Sequence, residues 1–388
     1  MKHQVDRRPP IIWVWHDWPA RAGAGSQQRA ALILDALAEV FQVHILIARG
    51  RQGGARRASD AELAESASWR EVGESEAAAA VVRLKAEVAA AAVMLFDFTT
   101  AVKLRPVLGS LGPVYIDLDE LLSKRQSRFL ATPGLSISLH DELKRGLQLF
   151  RVLERRLLPI FRGVFVASAV ERDNLRNLVD LDLVTVVPNG TRHQSMLSPV
   201  DREDPRVILF VGRMDYFPNH DAVKFFLTDV WPHLRARYGE RVRFHVVGRH
   251  APASFRPQLH PGVDYSPCCD DVVPAYERAS VAVVPLRSGG GTRIKILEAC
   301  ALGRPVVSTT MGAEGLGVEL GQHMLLADDP QAFFQGCVDL LEGQDRAAKL
   351  VGAAGDYVRR HHSPAAIKRA VHNSLLVRQH VAGSDGAA

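Results

Sequence analysis

The sequence predicts an α/β protein of two Rossmann-like domains, each a doubly wound parallel sheet, facing each other across a cleft. Three observations predict it. Short Val/Ile-rich runs alternate with longer amphipathic or alanine-rich stretches, the pattern of parallel strands covered by helices on both faces. The alternation stops at the polar, proline-punctuated LSPVDREDPR, residues 197–206, and restarts beyond it. The chain's 388 residues also exceed what one hydrophobic core usually organises.

Taken in order, the first half offers IIWVW, VHILIA, AVMLF, PVYID, GVFVA and VTVV as strands. A helical pattern from about Gln27 to Val40 comes after the first of them, and residues 76–92 read as a plain alanine-rich helix. The second half offers RVILFVG, VRFHVVG, VAVVP, RPVVS and MLLAD. The stretch between the halves carries no periodic apolar signal and suits a linker, so the domains are placed at 1–198 and 199–363. Residues 364–388 hold a last helix, at 364–380, and a frayed tail from 382.

Composition narrows the function classes. An apolar fraction of 47% with 23% charged residues is that of a globular chain, which excludes a largely disordered or fibrous one. The first apolar patch, Ile11 to Trp15, is too short for a signal-peptide core, and no run of about 18 apolar residues exists; a cytoplasmic protein is expected. Cys268, Cys269, Cys300 and Cys337 lack C-x-x-C spacing, so reduced, buried thiols are expected and neither a zinc knuckle nor a disulfide framework.

Charge is concentrated. Residues 121–162 hold nine Lys or Arg against three acids, more than the whole chain's net +5. Within them Leu143, Leu147, Phe150, Leu153 and Leu157 recur at helical spacing, with Lys144, Arg151 and Arg155 on another face. A solvated basic face on a docked helix is the plain reading; peripheral contact with the inner face of a membrane is the functional one. Nucleic acid is not expected as a partner, because no stacking aromatics interleave with the basic residues.

In open parallel sheets ligands bind beyond the carboxyl ends of the strands. There, after VAVVP, stands RSGGGTRIKILEACALG, residues 287–303. Gly289, Gly290 and Gly291 let backbone N–H groups approach a ligand, and a helix starting near Thr292 adds unpaired donors and a positive dipole end. A diphosphate fits this. Arg293 falls in the first turn, where a cation opposes the dipole unless an anion sits nearby. Glu298 lies at the edge of the buried face; it either pairs with Lys295 or bonds sugar or ribose hydroxyls.

GGGTRIKILEACALGRPVVSTTMGAEGL, with VGRMDYFPNHDAVKFF upstream, resembles the donor domain of group 1 (family 4) glycosyltransferases, nearest to the sugar transferases of bacterial exopolysaccharide clusters. The strongest similarity spans about residues 206–330, and HDWPARAGAGSQQRA, YIDLDELLSKR and VVPNG extend it more weakly. The resemblance implies the GT-B fold, a nucleotide-diphosphate sugar of UDP or GDP type as donor, no further cofactor or metal, and transfer with retention to a glycan or lipid-linked acceptor. It also implies that the C-terminal helix crosses back onto the first domain. By the family's pattern Arg213, just after Gly212, and Lys295 neutralise the leaving diphosphate, while Glu298 holds the ribose. Such charges lower the barrier if they grip the diphosphate more tightly in the transition state. The family's E-x7-E pair is broken here, since Gly290 stands where the first acid belongs; the N–H groups of Gly289 to Gly291, with Thr292 and Arg293, are expected to contact the donor instead.

In the first domain Gly23, Gly25 and Ser26 form a glycine loop that touches phosphate or acceptor. A dinucleotide fingerprint needs glycine at Gln28 and an acid after VHILIA, where Arg49 stands, so an NADP-dependent reductase is the remote alternative. Asp117 and Asp119 form a D-x-D, the metal ligand of glycosyltransferases of the other large fold class; Asp119 is read either as the N-cap of a helix from Glu120 or as assisting catalysis at the acceptor. His16 and Asn189 are read as structural. A glycosyltransferase is expected, with a catalytically silent GT-B nucleotide-sugar-binding module as the alternative.

Overall fold

Thirteen strands among the described residues form two wholly parallel sheets in the computed structural model, which describes residues 7–21, 23–49, 67–133, 135–198, 205–267, 271–319 and 321–381. The contacts of the chain divide it into two units, 1–130 with 135–189 and 364–388, and 131–134 with 190–363. The expected linker at 197–206 lies partly, and the tail from 382 wholly, outside the described residues, as do Cys268 and Cys269.

The first unit holds β1 (Pro10–Trp15), β2 (Gln42–Arg49), β3 (Ser68–Gly73), β4 (Ala92–Phe96), β5 (Val114–Asp117), β6 (Gly163–Val166) and β7 (Val184–Val186). Their spatial order is β3-β2-β1-β4-β5-β6-β7. The second holds β8 (Arg206–Val211), β9 (Val242–Val247), β10 (Val263–Ser266), β11 (Ala279–Val284), β12 (Val306–Ser308) and β13 (Leu325–Leu326), in the order β10-β9-β8-β11-β12-β13. Both orders reverse beside their first strand, between β1 and β4 and between β8 and β11. These reversals leave crevices at the carboxyl ends of the strands, where doubly wound sheets take ligands.

Strands such as β1 and β4 are apolar throughout because helices cover both faces, and they are buried accordingly. β3 and β10 escape the sequence reading. Both are edge strands, SWREVG and VDYS, largely exposed or half-buried, and a strand with one bare edge carries no continuous apolar run.

The helix Gly25–Ala38 begins two residues before the expected Gln27. The returning helix Pro364–His372 packs on it: His372 Nε2 lies 3.0 Å from Ala36 O, Lys368 Nζ lies 2.5 Å from Glu39 Oε2, and Ile367 and Val371 join Leu37 in the core. Tyr115, at the core side of β5, donates its hydroxyl to Gln379 Oε1 at 2.7 Å. Cys300 and Cys337 are buried, and burial pushes the Cys300 thiol up to about 12. No helix among the described residues is long and apolar enough to cross a membrane.

Candidate functional site

In the second unit the crevice between β8 and β11 is lined by the residues just past the ends of those two strands: Gly212 and Arg213 after β8, the loop 285–293 after β11. The helix Ile294–Ala301 starts two residues later than the sequence suggests. Arg293 is therefore its N-cap residue and not a first-turn cation. It is 8% exposed and turns its Nη1 back to donate to the carbonyls of Gly290 and Gly291. Gly303, with φ of +73°, closes the helix where the sequence puts its end.

Gly289 and Gly291 have φ of +118° and +65°, values that a side chain makes costly, whereas φ at Gly290 is not positive. The loop's backbone thus demands glycine on either side of the missing acid, and no such demand explains its loss. Arg287 ties the loop's start to the neighbouring helix Phe217–Phe225 through two bonds to the buried Asp221, at 3.0 and 2.5 Å.

Lys295 projects back under β8. Its Nζ donates to Asn219 Oδ1 at 2.7 Å and sits 4.2 Å from the centroid of the Phe210 ring. Asn219 Nδ2 in turn donates to the carbonyl of Arg213 at 2.9 Å. A methyl group on Gly212 would lie 2.7 Å from Lys295 Nζ and 2.8 Å from Asn219 Nδ2, so glycine at 212 is what lets the ammonium approach the strand end. Burial, helped by Arg293 and opposed by Glu298, lowers the Lys295 pKa to about 7. An ammonium held with so little solvation gains most from an anion placed against it.

Arg213 is half exposed and bonds Asp215 through Nε and Nη2 at 3.0 and 2.7 Å. Glu298 is 6% exposed on the buried side of its helix. Side-chain contacts thus join Gly212 and the Arg213 carbonyl to Lys295 through Asn219, and Gly290 and Gly291 to Arg293, while Thr292 and Glu298 lie on the same loop and helix. Asn219 was not among the sequence candidates. Its signal, PNHD after a strand-ending V-G-R, was on hand, but its tie to Lys295, 76 residues on, is made only by the fold.

The remaining candidates belong to the first unit. Gly25 and Ser26 start the helix Gly25–Ala38, but the loop before it is largely self-satisfied: Ala24 N donates to Gln27 Oε1 at 2.9 Å, and Gly23 O accepts from Gln28 Nε2 at 3.1 Å. Asp119 does not cap a helix at Glu120. The next helix starts at Leu122, and the amide of Ser123 is taken by Glu154 Oε1 at 2.9 Å. Asp119 instead has φ of +53°, and burial lifts its carboxyl to about 8. The D-x-D is not arranged as a ligand pair, because both Asp117 oxygens lie 3.0 Å from Arg29 Nε. Arg29 Nη1 also reaches Val187 O at 2.7 Å and Asn189 Oδ1 at 2.9 Å, which gives Asn189 a structural part.

Residues 205–343, which contain the whole crevice of the second unit, match the family model of the glycosyl transferases group 1. The protein carries a group 1 glycosyltransferase domain. No curated protein matches this chain by sequence. Solved structures do match it in fold. Sucrose-phosphate synthase from Thermosynechococcus elongatus is 16% identical with a TM-score of 0.74, covering 97% of this chain and 100% of that one. A glycosyltransferase from Rickettsia africae is 14% identical at a TM-score of 0.69, with 98% and 100% covered. HepE of Anabaena, solved with UDP and glucose, is 14% identical at 0.66, with 93% and 98% covered. With its two parallel-sheet units, the chain has the GT-B fold.

Proposed function

We propose that this glycosyltransferase moves a sugar from a UDP- or GDP-type nucleotide sugar to a glycan or lipid-linked acceptor, with retention at the anomeric carbon and without a metal ion. One observation carries the reading: Lys295, Asn219, Arg213 and the glycine loop meet at the crevice between β8 and β11. Breaking the sugar–phosphate bond builds charge on the leaving diphosphate, and cations fixed beforehand stabilise that charge without reorganising. Lys295, Arg213 and the loop amides supply it in this chain, and Glu298 is assigned to the ribose. The likeness in fold to a structure holding UDP and glucose supports the donor class. Arg49, on which the reductase alternative rests, pairs with Glu71 at 3.4 Å.

The test is to incubate the full chain with labelled UDP- and GDP-sugars, with a panel of glycans and lipid-linked saccharides, and with water alone as acceptor. Donor consumption that EDTA leaves unchanged is expected. Complete loss on EDTA, restored by manganese, overturns the metal-free part. Nucleotide binding without consumption of any donor selects the silent binding module instead.

The chain is further proposed to work in the cytoplasm and to touch anionic membrane through the helix Ile137–Leu157. On its outer side Leu149 and Val152 are 55% and 48% exposed among Lys144, Arg145, Arg151, Arg155 and Arg156. All five are exposed; Arg151 acts on the buried carboxyl of Glu154, and Arg151 and Arg155 stand one helical turn apart. Exposed apolar side chains beside exposed cations suit an anionic bilayer surface. Co-sedimentation with phosphatidylcholine vesicles is expected only when phosphatidylglycerol is added. At about 1 kcal/mol per basic residue, Arg151→Glu with Arg155→Glu weakens it tenfold or more. Equal binding to neutral vesicles, or none to either, sinks the idea.

A further inference from the structure

The backbone around Arg213 is pinned on three sides. Gly212 N donates to Val247 O at 2.9 Å, Met214 N donates to Arg249 O at 2.8 Å, and the Arg213 carbonyl accepts Asn219 Nδ2 at 2.9 Å. Met214 is 1% exposed and anchors the chain in the core of the second unit. The Arg213 side chain leaves this frame half exposed. Its Nε donates to Asp215 Oδ1 at 3.0 Å and its Nη2 to Asp215 Oδ2 at 2.7 Å, so one edge of the guanidinium holds both oxygens of one carboxylate.

Place and geometry set this pair apart from an ordinary surface ion pair. It stands just past the end of β8, the strand at which the sheet order reverses, where doubly wound sheets take their ligands. The edge formed by Nε and Nη2 is also the one that grips two phosphate oxygens, and it serves one planar or tetrahedral anion at a time. Burial would raise the Asp215 carboxyl, yet the hydrogen bonds and charge of Arg213, aided by His250 beyond β9, hold it below its ordinary value. Asp215 is therefore an anion at neutral pH. Its side chain is 39% exposed, so water takes over the carboxylate when the arginine leaves and no buried charge is orphaned.

We propose that Asp215 is a positioning residue, a stand-in anion that holds the Arg213 guanidinium at the end of β8 while the site is empty and yields it to the donor diphosphate. The inference rests on glycosyl transfer as the function of the chain, with Arg213 on the diphosphate. Magnitudes favour the exchange. An exposed ion pair contributes little, being screened by water and salt, whereas a diphosphate brings more than one charge and meets Lys295 and the loop amides as well. With the backbone pinned, the exchange needs only rotation of two side chains. Nucleotide and Asp215 then compete for one guanidinium edge, and the displaced carboxylate is left beside the phosphates. The spent nucleotide is thus held less tightly than Arg213 and Lys295 alone would hold it, which speeds its release at the end of each turnover.

The experiment titrates UDP and GDP into the full chain by calorimetry. Asp215→Asn is expected to tighten the Kd of the nucleotide that the parent binds by about threefold or more, the size of one exposed ion pair no longer to be broken. On an Arg213→Met background the same substitution is expected to bring a clearly smaller gain, because no guanidinium is left to compete for. In nitrogen-15 spectra of the parent, the Arg213 Nε resonance is expected to shift when the nucleotide is added. A Kd in Asp215→Asn that tightens by less than about threefold, or weakens, overturns the proposal while leaving the donor site in place. A gain that persists in full without Arg213 also overturns it, since Asp215 then acts by charge repulsion alone; so does an Arg213 resonance that stays put. If the parent binds neither UDP nor GDP, the glycosyl-transfer reading falls, and this assignment with it.

Discussion

Replacing Lys295 by methionine is expected to lower glycosyl transfer roughly 10²- to 10³-fold, the size of effect seen when one preplaced group facing a developing anion is removed. The fold of the second unit is expected to persist. Methionine fills the slot beneath Gly212, and the cost of burying an ammonium disappears with it. A second signature separates this role from packing. With the Lys295 pKa lowered to about 7, the unliganded protein has largely lost that proton by pH 8. A bound diphosphate restores it, so binding takes up a proton above pH 7, and the Kd for UDP is expected to rise by up to tenfold per pH unit there. The same shift acts on stability: the unfolded chain keeps the proton up to the ordinary lysine value and the native unit does not. The second unit is therefore expected to gain stability as pH rises from about 7 toward that value. Calorimetric titrations of UDP from pH 6 to 9 on parent and Lys295→Met read the proton uptake and the Kd, thermal melts over the same range read the stability, and donor consumption reads the turnover. A flat profile in the parent, or turnover in the variant near the parent's, removes Lys295 from the donor site.

The largest expected effect on stability lies in the first unit. Arg29 is 1% exposed and Asp117 is fully buried, and each is the other's charge partner. Breaking such a pair from one side leaves a buried charge uncompensated, at a cost of about 3–5 kcal/mol. Arg29→Met is expected to lower the melting temperature of the first unit by about 6–20 °C, taking roughly 2–4 °C per kcal/mol for a unit of this size. Arg29→Met with Asp117→Leu is expected to recover most of the loss, since apolar replacement of both partners removes the orphan. Arg29 also holds down the carboxyls of Asp119 and Glu171, which burial lifts to about 8 and about 7. Without Arg29 all three acids protonate more readily, so the penalty grows as pH rises and is smaller at pH 5 than at pH 8. Tryptophan fluorescence isolates the event, because Trp13, Trp15, Trp18 and Trp69 lie in the first unit and Trp231 in the second. A single variant that melts within about 2 °C of the parent would show that the pair does not pin the unit.

Much of this protein was determined by its sequence alone. Central strands such as IIWVW and AVMLF must be apolar on both faces to sit under helices on either side, so their positions can be read without coordinates, as can the glycine loop and the donor-domain resemblance around Lys295 and Glu298. What the chain could not announce were features defined by neighbours distant in sequence. SWREVG and VDYS become strands only because β2 and β9 offer an edge to pair with. Asn219 acquires a role only when Lys295 is folded over Phe210, and Arg293 turns out to satisfy its own loop. Hydrophobic periodicity is a local property and is written residue by residue. Charge pairing arises from which strand ends and side chains meet in space, and only the tertiary structure sets that.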